Sequence, residues 1–399
     1  MKKLTIEDLD IQGKRVLMRV DFNVPLENGK VANDKRIQAA LPSIEYIVKK
    51  GGRLIIMSHL GRPKGTRVPD MSLKPCAEVL GRLLEKEVAF VDDCIGAEVE
   101  TAVSRLNDGD ALLLENLRYY SQETDNNPEF AGRLANLGDI YVNDAFGTAH
   151  RAHASTEGVT HFFKQCAAGF LMVKELDYLG QVMENPVRPF VAILGGAKIS
   201  GKIDVLTNLL PKVDKVIIGG GMTYTFFKAR GLEIGRSLLE ADKVAYAKDL
   251  LAQAGDKLVF PVDCMVTDFF DFNARKVGNL KEVSVDAIPA NWESLDIGSK
   301  TIQKFGNLLR TAKTVVWNGP MGVFEIDETA KGTYAIADLL AQVTAKGATT
   351  VIGGGDSASA VNKAGVSDKV SHVSTGGGAS LEFIEGKILP GVAALTDNG

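Results

Sequence analysis

Val16-Leu17-Met18-Arg19-Val20 is a short β-rich run, and Asp21-Phe22-Asn23 follows it directly. A helix-like stretch over 34–50 comes next, with Asp34 at the N-cap position and Gly51-Gly52 as the stop. The cycle then restarts with Leu54-Ile55-Ile56-Met57, a polar turn and a second helical stretch near 72–84. Further short apolar runs lie at 88–91, 111–114 and 140–142. After residue 185 they resume at 191–194, 216–218, 258–262, 315–317 and 349–352. Continuous apolar strands separated by helices predict parallel sheet covered on both faces, so the fold class is α/β. No internal repeat of 20–50 residues interrupts this rhythm.

The rhythm changes once, near the midpoint. Phe170-Leu171-Met172-Val173-Lys174-Glu175-Leu176-Asp177-Tyr178-Leu179 reads as one longer amphipathic helix, ended by Asn185-Pro186 and Arg188-Pro189. Such a helix is either a connector between two α/β domains or a surface helix of one large domain. A chain of 399 residues exceeds a comfortable single core, which favours the connector.

In open α/β sheets ligands bind beyond the carboxyl ends of the strands. The unusual residues of the first half fall there: Asp21-Phe22-Asn23, Ser58-His59-Leu60-Gly61-Arg62-Pro63, Glu115-Asn116-Leu117-Arg118, and Asn143-Asp144-Ala145-Phe146-Gly147-Thr148-Ala149-His150-Arg151. Eleven of the sixteen arginines and four of the five histidines precede residue 162. If the strands share one sheet, His59, Arg62, Arg118 and Arg151 converge on one rim, with Arg36 from the adjoining helix start. Guanidinium forks match phosphate and carboxylate oxygens, so the set predicts a multiply charged small anion. Any one of these arginines taken alone is more simply a surface ion pair.

The second half places glycine at the same topological positions: Gly195-Gly196-Ala197-Lys198, Gly219-Gly220-Gly221, Asn318-Gly319-Pro320 and Gly353-Gly354-Gly355-Asp356-Ser357. Ser374-Thr375-Gly376-Gly377-Gly378 precedes a helix expected over 379–385. A single glycine turn can be no more than a tight connection. The recurrence predicts a nucleotide, because glycine lets backbone N–H groups approach phosphates and helix N-termini favour anions. Asp356 is the carboxylate suited to a Mg²⁺ carried by the phosphates.

Other classes are set aside. The formal net charge of -4 lacks the basic excess of a nonspecific nucleic-acid binder, so no nucleic-acid partner is expected. No apolar run approaches the ~20 residues of a membrane span, and no membrane association is expected. The N-terminus turns acidic before an h-region forms, and Cys76, Cys94, Cys166 and Cys264 show no CxxC spacing. A cytoplasmic protein with buried reduced thiols is expected. Gly196 to Lys202 spells G-x-x-x-x-G-K, but Ile203 replaces the hydroxyl that a P-loop gives to Mg²⁺. His150 and His153 lack an HExxH context, and no Rossmann G-x-G-x-x-G follows the first strand. Trp292 and Trp317 read as core or pocket wall.

Taken together, these stretches resemble the phosphoglycerate kinase family over essentially the whole chain. The matching motifs are Arg19-Val20-Asp21-Phe22-Asn23-Val24-Pro25, Ser58-His59-Leu60-Gly61-Arg62-Pro63, Leu114-Glu115-Asn116-Leu117-Arg118, and Asn143 through Arg151-Ala152-His153. They continue with Leu194-Gly195-Gly196-Ala197-Lys198, Trp317-Asn318-Gly319-Pro320, Gly353-Gly354-Gly355-Asp356 and Ser374-Thr375-Gly376-Gly377-Gly378. The resemblance implies two doubly wound parallel-sheet (Rossmann-like) domains joined by a hinge helix. Residues 1–170 would form a domain for 3-phosphoglycerate and 1,3-bisphosphoglycerate, and a tail from about 388 to 399 would return to it. Residues 171–387, beginning with a helix over about 170–184, would bind ADP and ATP.

The implied glycolytic reaction is reversible phosphoryl transfer between 1,3-bisphosphoglycerate and MgADP, by a monomer, with Mg²⁺ as the cofactor. By motif match, Asp21, Phe22, Asn23, Arg36, His59, Leu60, Gly61, Arg62, Arg118 and Arg151 would hold the glycerate. Lys198, Lys202, Gly219, Gly220, Asn318, Glu325, Gly353, Gly354, Gly355, Asp356 and Ser357 would hold the nucleotide. Ser357 stands where relatives often carry Thr, and either supplies a hydroxyl. Arg36, Lys198 and backbone N–H groups at Gly376 and Gly377 are the catalytic candidates, set against the charge of the transferring group. A different small-molecule kinase and a noncatalytic anion-binding protein are the rival readings.

Overall fold

The computed structural model describes residues 2–398. Two compact units are resolved: the chain up to Asp177 together with the chain from Ile388, and Tyr178–Lys387. Each is built on a six-stranded, all-parallel sheet.

The first sheet uses Arg15–Arg19, Arg53–Met57, Val88–Val91, Ala111–Leu114, Ile140–Asn143 and Cys166–Ala168. Numbered in chain order, they lie side by side as 3-4-2-1-5-6. Val16, Met18, Leu54, Ile56, Leu113 and Val142 pack on one face against Ile37, Ile44 and Ile47 of the helix Lys35–Lys49 and Leu80 of Lys74–Leu84. Leu17, Ile55 and Leu112, which point the other way, are buried too, so these strands read as unbroken apolar runs. Each such burial contributes about 1.5–3 kcal/mol.

The second sheet uses Phe190–Leu194, Lys215–Ile218, Leu258–Val259, Thr314–Asn318, Thr349–Gly353 and His372–Val373, ordered 3-2-1-4-5-6. Val191, Ile193, Val315, Trp317 and Ile352 pack there against Phe305 and Leu309 of the helix Ser299–Leu309 and Ile336 and Leu340 of Lys331–Ala345. In both sheets the order reverses beside the first strand, the place where open α/β sheets take their ligands.

Several expectations need correction. The passage between units falls between Asp177 and Tyr178, inside the helix Phe170–Glu184, rather than at 170/171 where that helix begins. The first turns of the helix are anchored to the first sheet, so the unit boundary follows packing rather than the element's start. The run 258–262 yields strand only at Leu258–Val259, because Pro261 cannot donate to a ladder. A three-stranded antiparallel sheet, Leu280–Ser284, Asp263–Thr267 and Glu293–Ile297 in lateral order, was not foreseen; Leu280–Ser284 is largely solvent-facing and lacks an apolar run. The strands Cys166–Ala168 and His372–Val373 are too short to stand out as runs. Asp34 occupies the N-cap position, but its carboxylate takes Gln38 Nε2, and Asn33 Oδ1 accepts from the Lys35 N–H instead.

The four cysteines are free and buried. Burial pushes the thiols of Cys76 and Cys166 up to about 12, which keeps them protonated and inert. Among the described residues no helix is long and apolar enough to cross a membrane.

Candidate active site

In the first unit the polar residues at the carboxyl ends of the strands form one connected cluster. Its base is Arg19, fully buried although it lies in an apolar strand. Arg19 Nε donates to Ser155 Oγ at 2.8 Å, and its Nη2 lies 3.2 Å from His59 Nδ1 and 3.9 Å from Glu123 Oε1. Glu123 is also fully buried and accepts from the backbone N–H and the hydroxyl of Ser155. A guanidinium only donates, so the bond from Arg19 makes His59 Nδ1 the acceptor. The ring then carries its proton on Nε2 as a neutral donor. Burial, and then the charges of Arg19, Arg118 and Arg36, hold the His59 imidazolium well below the ordinary histidine range. Burial, followed by Arg118, Arg19 and Arg151, pushes His153 down to about 4.

Around this base half-buried groups gather. Arg36 Nη1 donates to Asp21 Oδ2 at 2.7 Å, and Asp21 Oδ1 also accepts from the Asn23 N–H. Asn23 Oδ1 accepts from the Gly61 N–H at 2.9 Å, and Arg118 Nη1 donates to the Gly61 carbonyl at 2.8 Å. Gly61 has φ +62, a backbone state that costs other residues strain, so the turn that ties these two side chains favours glycine. Arg118 Nε is buried with no partner. Burial first, then the charge of Arg19, draws the Arg118 guanidinium down to about 10, with Arg62 adding to the repulsion. Arg62 and Arg151 are exposed. Phe22 and Leu60 are buried wall residues, held by hydrogen bonds from the Phe22 N–H to Ser58 Oγ and from the Leu60 N–H to Asn116 Oδ1. The structure thus assembles several like charges with an unpaired donor, an arrangement that favours an anion.

In the second unit the glycine turns interlock. The N–H groups of Gly195, Gly196, Gly219 and Gly220 donate to the carbonyls of Asn318, Pro320, Leu194 and Met321. These four glycines therefore do not offer their N–H groups to a phosphate, contrary to the simplest sequence expectation. They permit close approach of backbone to backbone: a Cβ on Gly195 would lie 2.0 Å from the Pro320 carbonyl oxygen. Gly376 is similar, since its N–H donates to Ser374 Oγ at 3.1 Å.

The remaining polar groups lie on the adjoining strands and helix. Asn318 ends the strand Thr314–Asn318; its Oδ1 accepts from Lys202 Nζ, and its buried Nδ2 has no partner. Burial lowers the pKa of Lys202. Gly353 closes the next strand, Gly354 follows at φ +88, and the nine-residue helix Gly355–Lys363 begins. Ser357 Oγ accepts from the Gly319 N–H at 2.6 Å, leaving its own proton to donate. Asp356, in the first turn, is exposed and makes no hydrogen bond or ion pair among the described residues. Its charge acts on Lys202, and a hard carboxylate beside a phosphate-suited helix start fits a Mg²⁺ that keeps other oxygens from its substrate. Lys198 is exposed, Glu325 is half-buried further along the loop after Asn318, and Gly377 (φ +51) precedes the helix Gly378–Ile384.

Sequence reading missed Arg19 as a structural base, together with Glu123 and Ser155. The available signal was a charged residue inside an apolar run. It also missed Leu238, 56% exposed, whose Cδ1 would lie 2.7 Å from a Cβ on Gly221. An exposed leucine against a glycine turn offers an apolar wall to a flat ring.

The model of the family described as phosphoglycerate kinase matches residues 6–387. The chain is 58% identical to the phosphoglycerate kinase of Chloroherpeton thalassium over 100% of both chains. It is 59% identical to that of Chlorobium luteolum over 99% of this chain and 100% of the relative. The solved phosphoglycerate kinase of Coxiella burnetii superposes with a TM-score of 0.88 at 42% identity, covering 98% of each chain. That of Pyrococcus horikoshii superposes with 0.85 at 33% identity, again over 98% of each. With the family model spanning nearly the whole sequence and full-length relatives near 58% identity, the chain belongs to the phosphoglycerate kinase family of phosphotransferases.

Proposed function

We propose that this chain catalyses the glycolytic, Mg²⁺-dependent, reversible transfer of a phosphoryl group from 1,3-bisphosphoglycerate to ADP, giving 3-phosphoglycerate and ATP. The observation that carries the reading is the arginine cluster on the neutral donor His59, with its unpaired Arg118 Nε. A small phosphorylated acid carries two anionic ends, and both suit such a cluster. The first unit is the glycerate-binding domain, and the second binds the nucleotide. The unpaired buried donor Asn318 Nδ2 and the exposed Lys198, Asp356 and Leu238 support the second assignment.

In the direction that consumes ATP the nucleophile is a carboxylate, ionised at neutral pH, so no general base is required. The residues have to position the two reactants in line and offset charge on the transferring group. Arg62, Arg118 and Arg151 bind the phosphate that stays, with His59 donating from Nε2. Arg36, oriented by Asp21, and Lys198, with the Gly377 N–H, meet the equatorial oxygens of the phosphoryl group in flight. Lys202 and Asn318 steady the nucleotide phosphates, and Ser357 donates its hydroxyl to them. Asp356 would hold the Mg²⁺, which supplies charge neutralisation across the nucleotide phosphates when bound. With the substrates on separate domains, transfer follows a closure that excludes water from the acyl phosphate. Monomeric, cytoplasmic operation is part of the same reading.

The test is turnover with 3-phosphoglycerate and MgATP, coupled to an NADH-consuming dehydrogenase that removes 1,3-bisphosphoglycerate. Activity that needs both substrates and Mg²⁺, and that Lys198→Ala abolishes, supports the proposal. A folded protein that binds MgATP but does not turn over 3-phosphoglycerate refutes it.

A further inference from the structure

The helix Phe170–Glu184 begins after Gly169, which has no side chain to cap it. Its first N–H groups are satisfied from elsewhere. Ser43 Oγ accepts from the Phe170 N–H at 2.8 Å, and Asp144 Oδ1 accepts from the Met172 N–H at 3.0 Å. Both capping side chains are fully buried. The absence of a side chain at 169 is required: a Cβ there would lie 2.3 Å from Asp144 Oδ1. The backbone reinforces the joint, since the Gly169 N–H donates to the Asn143 carbonyl and the Asp144 N–H to the Arg19 carbonyl.

The origin of the two caps matters. Ser43 lies on the helix Lys35–Lys49, whose first turn carries Arg36. Asp144 opens the segment after the strand Ile140–Asn143 that runs through Phe146–Thr148 to Arg151. Thus two elements bearing arginines of the anion cluster meet at the first turn of the helix that leads into the second unit. An ordinary N-cap comes from the adjacent residue and couples a helix only to its own loop. Here the cap is tertiary, and a buried carboxylate at a helix N-terminus makes a strong, directional joint.

We propose that Asp144 and Ser43 are positioning residues that clamp the first turn of this helix to the Arg36 and Arg151 elements, so that filling the anion cluster is transmitted to the helix between the units. The inference rests on the kinase reading above and extends it to residues that touch no substrate. The clamp acts on domain closure, so its loss lowers kcat while the binding of a single substrate survives.

The experiment compares full-length wild type with Asp144→Ala and Ser43→Ala. It measures kcat and KM, the Kd of 3-phosphoglycerate alone by calorimetry, and the change in radius of gyration by small-angle scattering when both substrates are added. The expected result is kcat lowered about tenfold, a 3-phosphoglycerate Kd within about twofold of wild type, and a smaller substrate-induced compaction. Unchanged kcat and compaction in the folded variants would overturn the proposal. So would a Kd that weakens in proportion to kcat, because the pair would then only shape the anion cluster. Ser43→Ala removes a single hydroxyl and keeps the test decisive if Asp144→Ala does not fold. Absence of turnover in wild type would instead sink the kinase reading, and the coupling proposal with it.

Discussion

Replacing Arg19 by Met removes a buried guanidinium while keeping an apolar stem of similar length. Glu123 Oε1 lies 3.9 Å from Arg19 Nη2, and both side chains are fully buried. At that distance an effective dielectric of about 20 gives an attraction of about 4 kcal/mol. Removing one partner of a buried pair typically costs about 3–5 kcal/mol, because the other charge stays desolvated. Glu123 would retain the bonds from the Ser155 N–H and hydroxyl, with the neutral His153 ring 3.9 Å away at Nδ1. We therefore expect the first unit to lose about 3–5 kcal/mol. Both tryptophans, Trp292 and Trp317, lie in the second unit, so tryptophan fluorescence reports that unit while far-ultraviolet circular dichroism reports both. In urea, with a slope of about 2 kcal/mol per molar, the first unit's transition should move down by roughly 2 M, and the fluorescence transition much less. Arg19→Met/Glu123→Gln should be less destabilised than the sum of its two single changes. A loss under about 1 kcal/mol, or strict additivity, would refute the reasoning that this pair is the energetic base of the anion cluster.

Other outcomes follow from the same geometry. Arg36→Ala should lose kcat on the order of a hundredfold with little change in KM, since its contact strengthens only as charge develops; steady-state kinetics in both substrates checks this. Arg118→Ala should mainly raise the KM for 3-phosphoglycerate, and a pure kcat defect would contradict its positioning role. Gly195→Ala forces a Cβ to 2.0 Å from the Pro320 oxygen, so it should destabilise the second unit by about 1–3 kcal/mol and be read by Trp317 fluorescence, whose Nε1 donates to Gly319 O. His153 has a folded pKa of about 4, below its unfolded value of about 6.5. The unfolded chain therefore takes up the proton first, and the stability that neutral His153 contributes is lost as pH falls from about 6.5 towards 4. The melting temperature of His153→Gln should fall less steeply over that window than that of wild type.

Much of the fold is legible because its strands are buried on both faces. Leu54-Ile55-Ile56-Met57 and Val191-Ala192-Ile193-Leu194 are apolar throughout, and between helical stretches such runs suit a covered parallel sheet. The antiparallel sheet through Asp263–Thr267 was illegible for the opposite reason: its outer strand Leu280–Ser284 is mostly exposed and has no run to find. The arginines and glycine turns stood out as residues at strand ends. What each glycine does there was not visible, because the hydrogen bond from Gly196 N–H to Pro320 O joins residues 124 positions apart. Arg19 was hidden in plain apolar context; only its meeting with Glu123, Ser155 and His59 gives it meaning.

The sequence by itself determined the α/β class, the place of the charged and glycine-rich residues at strand ends, and, through its motifs, the family. These properties are local: side-chain polarity, period and turn chemistry are written in adjacent residues. Tertiary structure alone decided the proton position on His59, the unpaired donors of Arg118 and Asn318, and the capping of Phe170–Glu184 by Ser43 and Asp144. Each of these depends on desolvation and on the meeting of groups distant along the chain, and free energies of that kind exist only once the sheets have brought those groups together.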